Sequence, residues 1–285
     1  MKLLRHGRAG AEKPGLLDSQ GQLRDLSGHV PDITGAALLP ASLQALARID
    51  AASLPPIAAT ARIGACVGGV GKLVCVGLNY SDHAAEANMA IPAEPVLFLK
   101  PTSSIVGPND DVEIPYGAKK ADWEVELGIV IGKPGKYLEM EQAMEHVAGY
   151  CIVNDVSERA YQLERGGTWD KGKGCDTFAP LGPWLVTRDE IPDPQTLELW
   201  LEVDGKSCQK GNTAKMIFGV AHLVSYISQF MSLRSGDVIS TGTPPGVGMG
   251  QRPPRFLTAG QTMRLGIAGL GVQQQRTIEA TRELT

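Results

Sequence analysis

Two glutamates, Glu124 and Glu126, stand at alternate positions in DWEVELGIVIG, residues 122–132. If this segment is a β-strand, alternate side chains point to the same face and the two carboxylates converge. Carboxylates held side by side repel each other unless a proton, a basic group or a cation lies between them. The exposed face of an amphipathic strand would show the same alternation, and most acidic residues are exposed.

A third acid, Asp155, follows the apolar run GYCIVN at residues 149–154. Polar side chains beside loops, at the ends of buried elements, are common in functional sites. Three carboxylates without a histidine or cysteine partner form an all-oxygen site, which suits Mg²⁺, Mn²⁺ or Ca²⁺ better than Zn²⁺. The acids Glu124, Glu126 and Asp155 therefore indicate a divalent-cation site, with an exposed strand face as the alternative.

His83 and Glu86 are three residues apart in NYSDHAAE, residues 79–86. If Ser81–Asn88 is helical, both side chains share one face of the helix. A carboxylate beside an imidazole orients the ring and raises its basicity, so the pair could remove a proton from water near neutral pH. A surface ion pair would have the same spacing.

Two later segments also carry polar residues that could bind an anion. Lys171 and Lys173 are flanked by glycines, and a lysine in such a loop could bind a carboxylate or a developing oxyanion. A solvated basic loop is the alternative for these lysines. The segment TGTPPGVGMG, residues 241–250, offers backbone N–H groups and hydroxyls, but its glycine spacing and two prolines exclude a dinucleotide-binding fingerprint.

The elements that must position these residues are mostly short strands. The pattern predicts strands at 2–5, 15–17, 22–26, 72–78, 96–99, 123–131, 148–155, 184–187, 197–203, 237–240 and 262–267, and helices at 41–49, 81–88, 140–146 and 214–230. Because strands outnumber helices without regular alternation, we expect an α+β fold rather than a doubly wound sheet. We expect a small N-terminal β-rich domain at 1–65, a linker rich in proline and glycine, and a catalytic domain at 71–285.

Composition limits the classes of function. The net charge of −4 argues against nucleic-acid binding, which is typical of proteins with a basic excess. There is no apolar run of about 18 residues and no apolar signal core near Met1, so we expect a cytoplasmic protein without a membrane span. Five scattered cysteines without a CxxC pair indicate reduced thiols rather than disulfides or a zinc site.

Five segments, in this order along the chain, resemble the fumarylacetoacetate hydrolase family. They are GLNYSDHAAE (77–86), DWEVELGIVIG (122–132), VNDVSERAYQ (153–162), KGKGCDTFAPLGP (171–183) and GDVISTGTPPGVG (236–248). The resemblance covers about residues 71–285 and implies a mixed β-sheet roll, in most members a homodimer. The order of the five segments along the chain strengthens the interpretation of the three acids as metal ligands.

The resemblance also implies a role for each candidate residue. The family's metal ligands fall on Glu124, Glu126 and Asp155, and the expected cofactor is Mg²⁺, or Mn²⁺, with Ca²⁺ as a substitute in crystals. The family's water-activating pair falls on His83 and Glu86, and its substrate-binding lysine falls on Lys173. Its further substrate contacts fall on Arg159, Gln162, Thr241 and Thr243.

The N-terminal segment and the run at residues 164–190 resemble one group within this family most closely. This group is the bacterial 2,4-diketo-3-deoxy-L-rhamnonate hydrolases. That likeness implies a hydrolase of carbon–carbon bonds in ketonic substrates, active in sugar-acid (L-rhamnose) catabolism, which cleaves the C3–C4 bond of a 2,4-dioxo acid to pyruvate and lactate. Acylpyruvase, oxaloacetate decarboxylase and ureidoglycolate lyase activities are alternatives. A metal-bound binding protein without catalysis is a further alternative, although a pure binder has no need of the His83–Glu86 pair.

Overall fold

Residues 1–86 and 90–282 are described by a computed structural model. The strands in these ranges are β1 Lys2–His6, β2 Lys13–Leu17, β3 Leu23–Asp25, β4 Ile63–Gly64, β5 Leu73–Gly77, β6 Val96–Lys100, β7 Ile105–Val106, β8 Val112–Ile114, β9 Ala121–Asp122, β10 Val125–Ile131, β11 Val147–Asn154, β12 Ser157–Glu158, β13 Ala179–Thr187, β14 Glu198–Val203, β15 Lys206–Asn212, β16 Val238–Ser240, β17 Thr262–Ile267 and β18 Gly271–Glu279. The α-helices are α1 Pro40–Leu46, α2 Ser81–Glu86, α3 Met140–Ala143, α4 Arg159–Leu163, α5 Asp170–Lys173 and α6 Val220–Phe230. Residues 87 and 88, the expected end of the helix that begins at Ser81, lie outside the described residues.

The strands form one large sheet and two smaller ones. The large sheet has eleven strands in the order β3-β2-β1-β13-β11-β10-β16-β5-β6, with β4 beside β1 and β7 beside β13. A five-stranded sheet has the order β15-β14-β17-β18-β8, and β9 pairs with β12. Both parallel and antiparallel pairs occur in the large sheet, as at β16–β5 and β10–β11. The α+β class predicted from the sequence is confirmed.

The centre of the large sheet is covered on both faces. Every residue of β10 is buried, and its apolar side chains contribute to two clusters, one on each face of the sheet. Leu127 and Ile129 face the five-stranded sheet and α6, whereas Val130 faces residues from the N-terminal segment. A strand buried on both faces requires a continuous apolar run, which explains the sequence Gly-Ile-Val-Ile at its end.

The large sheet runs across the boundary expected near residue 65. Strand β1 pairs with β13, with Lys2 opposite Val186 and Leu3 opposite Leu185. Leu3 and Leu26 also pack in one cluster with Leu181 of β13. The division into folding units at 1–65 and 71–285 stays a prediction, but the two segments share a hydrogen-bonded sheet.

The expected helix at 214–230 begins only at Val220. The side chain of Asn79 accepts a hydrogen bond from Phe218 N and donates one to Phe218 O, which fixes this residue outside the helix. Gly219, the N-cap residue, has an extended backbone. Among the described helices α6 is the longest at 11 residues, far short of the about 20 residues of a membrane-spanning helix.

Candidate metal and active site

The three predicted carboxylates meet where β10 begins and β11 ends. Glu126 lies within β10, Glu124 directly precedes it, and Asp155 directly follows β11. The antiparallel register places Val125 opposite Asn154, and Asp155 N donates a 3.0 Å hydrogen bond to Glu124 O. All three side chains are buried, and one ligand oxygen from each lies within 4.8 Å of the others. The exposed-face alternative is therefore wrong for these acids.

Two of the three carboxylates are already paired with buried cations. Lys173 Nζ lies 2.6 Å from Glu124 Oε2 and 2.7 Å from Asp155 Oδ2. Lys100 Nζ lies 2.6 Å from Asp155 Oδ1, and Arg159 Nη2 lies 2.6 Å from Glu124 Oε1. Burial opposes ionisation of Glu124, but the charges of Lys173 and Arg159 outweigh it and lower the pKa of Glu124 to about 2.

Lys173 belongs to α5 rather than to the solvated loop that was one alternative, and only 2% of the residue is exposed. Burial alone would lower the pKa of Lys173, but the charges of Asp155 and Glu124 outweigh it and raise the pKa. The side chain is therefore an ammonium at neutral pH. It can donate hydrogen bonds or stabilise negative charge, but it cannot serve as a base.

Glu126 differs from the other two acids because its hydrogen-bond donors carry no charge. Its Oε2 accepts hydrogen bonds from Ser240 Oγ at 2.6 Å and from Gly242 N at 2.9 Å. Burial and the nearby charges of Asp155 and Glu124 raise the pKa of Glu126 well above its usual value. A cation bound beside Glu126 would oppose this shift and favour the ionised form.

The charge balance of the buried network fits a divalent cation. Four carboxylates face three basic side chains, so the network has one net negative charge when all its groups are ionised. The members are Asp122, Glu124, Glu126, Asp155, Lys100, Arg159 and Lys173. A divalent cation would change the net charge to one positive, and the all-oxygen donor set suits a hard ion such as Mg²⁺ or Mn²⁺.

A cavity of about 170 Å³ opens onto these carboxylates. Its lining residues are Val76, Gly77, Leu78, His83, Phe98, Glu124, Glu126, Asp155, Arg159, Gln162, Leu163, Trp169, Lys173, Thr243, Val247 and Met249. Eight of the ten candidate site residues therefore line the same cavity. The other two candidates, Glu86 and Thr241, do not line the cavity.

The predicted pair of His83 and Glu86 forms on α2. His83 Nδ1 lies 3.1 Å from Glu86 Oε2, and the imidazole lines the same cavity as the carboxylates. Glu86 also accepts a hydrogen bond from Gly246 N at 3.1 Å, which ties it to the segment after β16. Because Nδ1 faces Glu86, Nε2 is the ring nitrogen left for a molecule in the cavity.

Thr241 and Thr243 use their hydroxyls to attach this segment to β10. Thr241 Oγ1 donates to Leu127 O at 2.9 Å, and Thr243 Oγ1 donates to Val125 O at 3.0 Å. Thr241 is fully buried and does not line the cavity, whereas Thr243 does. These bonds fix the backbone that carries Gly242 N, a donor to Glu126. Direct substrate contact by the two threonines stays a prediction.

Two members of the network were missed by sequence reasoning. Lys100 ends the strand β6, and a lysine at the end of the apolar run Val-Leu-Phe-Leu is the signal that could have identified it. Asp122 stands in the same motif as the two glutamates. Its carboxylate accepts hydrogen bonds from Arg159 Nε at 2.9 Å and from Gly248 N at 2.7 Å, so it joins α4 to the wall of the cavity.

This chain belongs to the fumarylacetoacetate hydrolase family, because residues 72–278 match the family's sequence model, fumarylacetoacetate (FAA) hydrolase C-terminal. A protein of Burkholderia orbicola (strain MC0-3), which bears only the general name of a hydrolase, is 64% identical over 281 residues. That alignment covers 98% of this chain and 100% of the Burkholderia protein. The family expected from the five motifs is therefore confirmed.

Two solved structures extend the similarity to the whole fold. Fumarylacetoacetate hydrolase from Exiguobacterium antarcticum superposes with a TM-score of 0.85 at 34% identity, covering 98% of this chain and 100% of that one. Maleylpyruvate hydrolase from Sphingobium sp. SYK-6, solved with manganese(II) and pyruvate, superposes with a TM-score of 0.82 at 26% identity. The second alignment covers 99% of this chain and 100% of that one.

Proposed function

We propose that this protein hydrolyses the C3–C4 bond of a 2,4-dioxo acid and releases pyruvate with a second carboxylic acid. The observation that carries the proposal is that His83, paired with Glu86, lines the same cavity as three buried carboxylates. The complex of the Sphingobium maleylpyruvate hydrolase with manganese(II) and pyruvate supports it. We propose 2,4-diketo-3-deoxy-L-rhamnonate, which would give pyruvate and lactate, as the leading substrate.

In this proposal Glu124, Glu126 and Asp155 hold a divalent cation, Mg²⁺ or Mn²⁺. Such a cation would supply Lewis-acid chemistry to a 2-oxo acid group bound beside these carboxylates. Lys173 and Arg159 keep the carboxylates ionised and oriented, because each donates directly to Glu124. Their fixed positions reduce the reorganisation that the reaction requires.

His83 acts as the general base. Its Nε2 removes a proton from a water molecule, and the oxygen of that water adds to the C4 carbonyl carbon. The C3–C4 bond then breaks with its electron pair on C3, and the protonated imidazole returns the proton to that carbon. Water is consumed, and the products are pyruvate and the acid derived from C4. Glu86, held by Gly246 N, keeps the imidazole in the required orientation.

Arg159, Gln162 and Lys173 position the substrate. Gln162 Oε1 accepts a hydrogen bond from Arg159 Nη1 at 3.0 Å, which leaves the amide nitrogen of Gln162 as the donor toward a molecule in the cavity. Lys173 is charged, so it donates to the substrate carboxylate or to the oxyanion formed at C4. Thr243 completes the polar part of the lining.

The test is pyruvate release from 2,4-dioxo acids by the wild-type protein and by His83→Ala. We expect kcat to fall by about 10²–10⁴ in this variant, because a general base contributes that factor. His29→Ala, which alters an exposed histidine, is the matched control and should retain the wild-type kcat. A near-wild-type kcat for His83→Ala would remove this residue from the mechanism.

Metal removal and product analysis complete the test. Chelation with EDTA should abolish activity, and Mg²⁺ or Mn²⁺ should restore it. Release of CO₂ from oxaloacetate without pyruvate release from dioxo acids would identify a decarboxylase instead. Urea and glyoxylate as products would identify a ureidoglycolate lyase, and no conversion of any of these compounds would favour a binding protein.

A further inference from the structure

The walls of the cavity divide into a charged part and an apolar part. Apart from His83, every charged side chain among the described lining residues belongs to the buried carboxylate network. The other walls are formed mainly by hydrophobic side chains, which include Leu78, Phe98, Leu163, Trp169, Val247 and Met249. A molecule held at the network by its 2-oxo acid group would therefore place its other end against a hydrophobic surface.

The apolar wall is built as a packed unit rather than by chance exposure. The rings of Phe98 and Trp169 meet edge to face with centroids 5.2 Å apart. A Cβ atom on Gly77 would lie only 2.6 Å from Trp169 Cζ3, so the glycine allows the indole to pack against β5. At about 170 Å³ the cavity is smaller than the about 300–1,000 Å³ that is typical for drug-sized ligands.

The basic side chains of the lining are already engaged by the buried carboxylate network. Arg159 donates to Asp122, Glu124 and Gln162, and Lys173 donates to Glu124 and Asp155. The network with a divalent cation has one net positive charge, which one substrate carboxylate neutralises. Residues 87–89, which lie outside the described ranges, are Ala-Asn-Met and contribute no charge.

We propose that the apolar wall selects 2,4-dioxo acids with a compact, uncharged acyl group and disfavours those with a second carboxylate at the far end. The inference rests on the proposed function, since it assumes that the 2-oxo acid group binds at the three carboxylates. Its physical basis is that a carboxylate placed against apolar side chains loses hydration without gaining a cation.

The test compares two substrates that differ only in their terminal group. In 2,4-dioxoheptanoate the acyl chain ends in a methyl group, and in 2,4-dioxoheptanedioate it ends in a carboxylate. With Mg²⁺ we expect kcat/KM for pyruvate release to be about 100-fold higher for the first compound, which corresponds to about 2.8 kcal/mol at 1.4 kcal/mol per tenfold. Equal or faster cleavage of the dioate would overturn the specificity alone, whereas cleavage of neither compound would overturn the proposed function as well.

A variant that adds a cation to the wall provides the second readout. Leu163 ends α4, lines the cavity and is 52% exposed, so the fold should tolerate a longer polar side chain there. Leu163→Arg should raise the ratio of kcat/KM for the dioate to kcat/KM for the heptanoate about tenfold. Leu163→Gln, which adds polarity without charge, is the control. An equal change with both substrates in Leu163→Arg would contradict the proposal.

Discussion

Lys100→Met tests whether the buried charges form one balanced network. The side chain of Lys100 is fully buried, with Nζ 2.6 Å from Asp155 Oδ1 and 3.0 Å from Val156 O. Methionine fills a similar volume without a charge. The substitution therefore removes one positive charge from the network, while leaving the packing of β6 nearly intact.

The expected loss of stability follows from the burial of this pair. Removing one partner of a buried ion pair costs about 3–5 kcal/mol, because the other partner is left uncompensated. Asp155 retains its second cation, since Lys173 Nζ lies 2.7 Å from Oδ2, so we expect the lower value. The free energy of unfolding should therefore decrease by about 3 kcal/mol in the absence of metal. A divalent cation should restore part of this loss, because it adds positive charge beside Asp155.

Urea-induced unfolding followed by tryptophan fluorescence measures this loss, with EDTA and with Mg²⁺. The matched control is Lys133→Met, which removes an exposed pair with Glu145 whose nitrogen–oxygen distance is 3.6 Å. An exposed pair contributes about 0–1 kcal/mol, so the control should be nearly as stable as the wild type. Equal losses in both variants would refute the reasoning from burial. A loss in Lys100→Met that Mg²⁺ does not reduce would refute the shared network.

Three further predictions address the neighbours of the site. Because burial raises the pKa of Glu126, cation binding should favour its ionised form, release protons and tighten as pH rises. Calorimetry in buffers of different ionisation enthalpy measures the proton release, and buffer-independent heats would contradict it. Asp122→Asn should destabilise the protein by about 2 kcal/mol in urea unfolding, since its carboxylate accepts hydrogen bonds from Arg159 and Gly248; unchanged stability would count against that role. Glu86→Gln should lower kcat about tenfold, because the imidazole of His83 would be oriented less firmly. An unaffected kcat would show that catalysis does not depend on the Glu86 carboxylate.

The carboxylate site was predictable because its information is local. Alternation along β10 and the residue before it predicts that Glu124 and Glu126 converge, and the apolar run before Asp155 marks the end of a buried strand. The spacing of His83 and Glu86 likewise needs only one helical turn, and the hydrogen bond between them forms as expected. The order of five motifs then identified the family and hence the fold around these residues.

The neutralising cations were harder to predict, because their partners are distant in sequence. Lys100 and Asp155 are 55 residues apart and meet only through the sheet. Sequence patterns also misjudged the local structure around Lys173. Asp-Lys-Gly-Lys has the composition of a loop, whereas it forms a turn of helix in which Gly172 and Lys173 are buried.

Strand β18 escaped prediction for a different reason, since its inward positions are polar. Gln273, Gln275 and Thr277 are fully buried, so hydrophobic alternation is absent from this strand. Gln273 Nε2 donates to Ile152 O at 2.9 Å and to Gly182 O at 2.8 Å, which satisfies its amide in the interior. Only the assembled sheets supply these acceptors, so the sequence alone gives no sign of them.

The central claim is that Glu124, Glu126 and Asp155 hold a divalent cation in the cavity that His83 lines. Anomalous diffraction at the manganese absorption edge, from crystals grown with Mn²⁺, tests this claim most directly. We predict one strong peak within about 2.0–2.6 Å of a carboxylate oxygen from each of the three residues, the range for hard cations with oxygen ligands. A peak bound elsewhere, or no peak at these carboxylates in crystals of catalytically active protein, would contradict it.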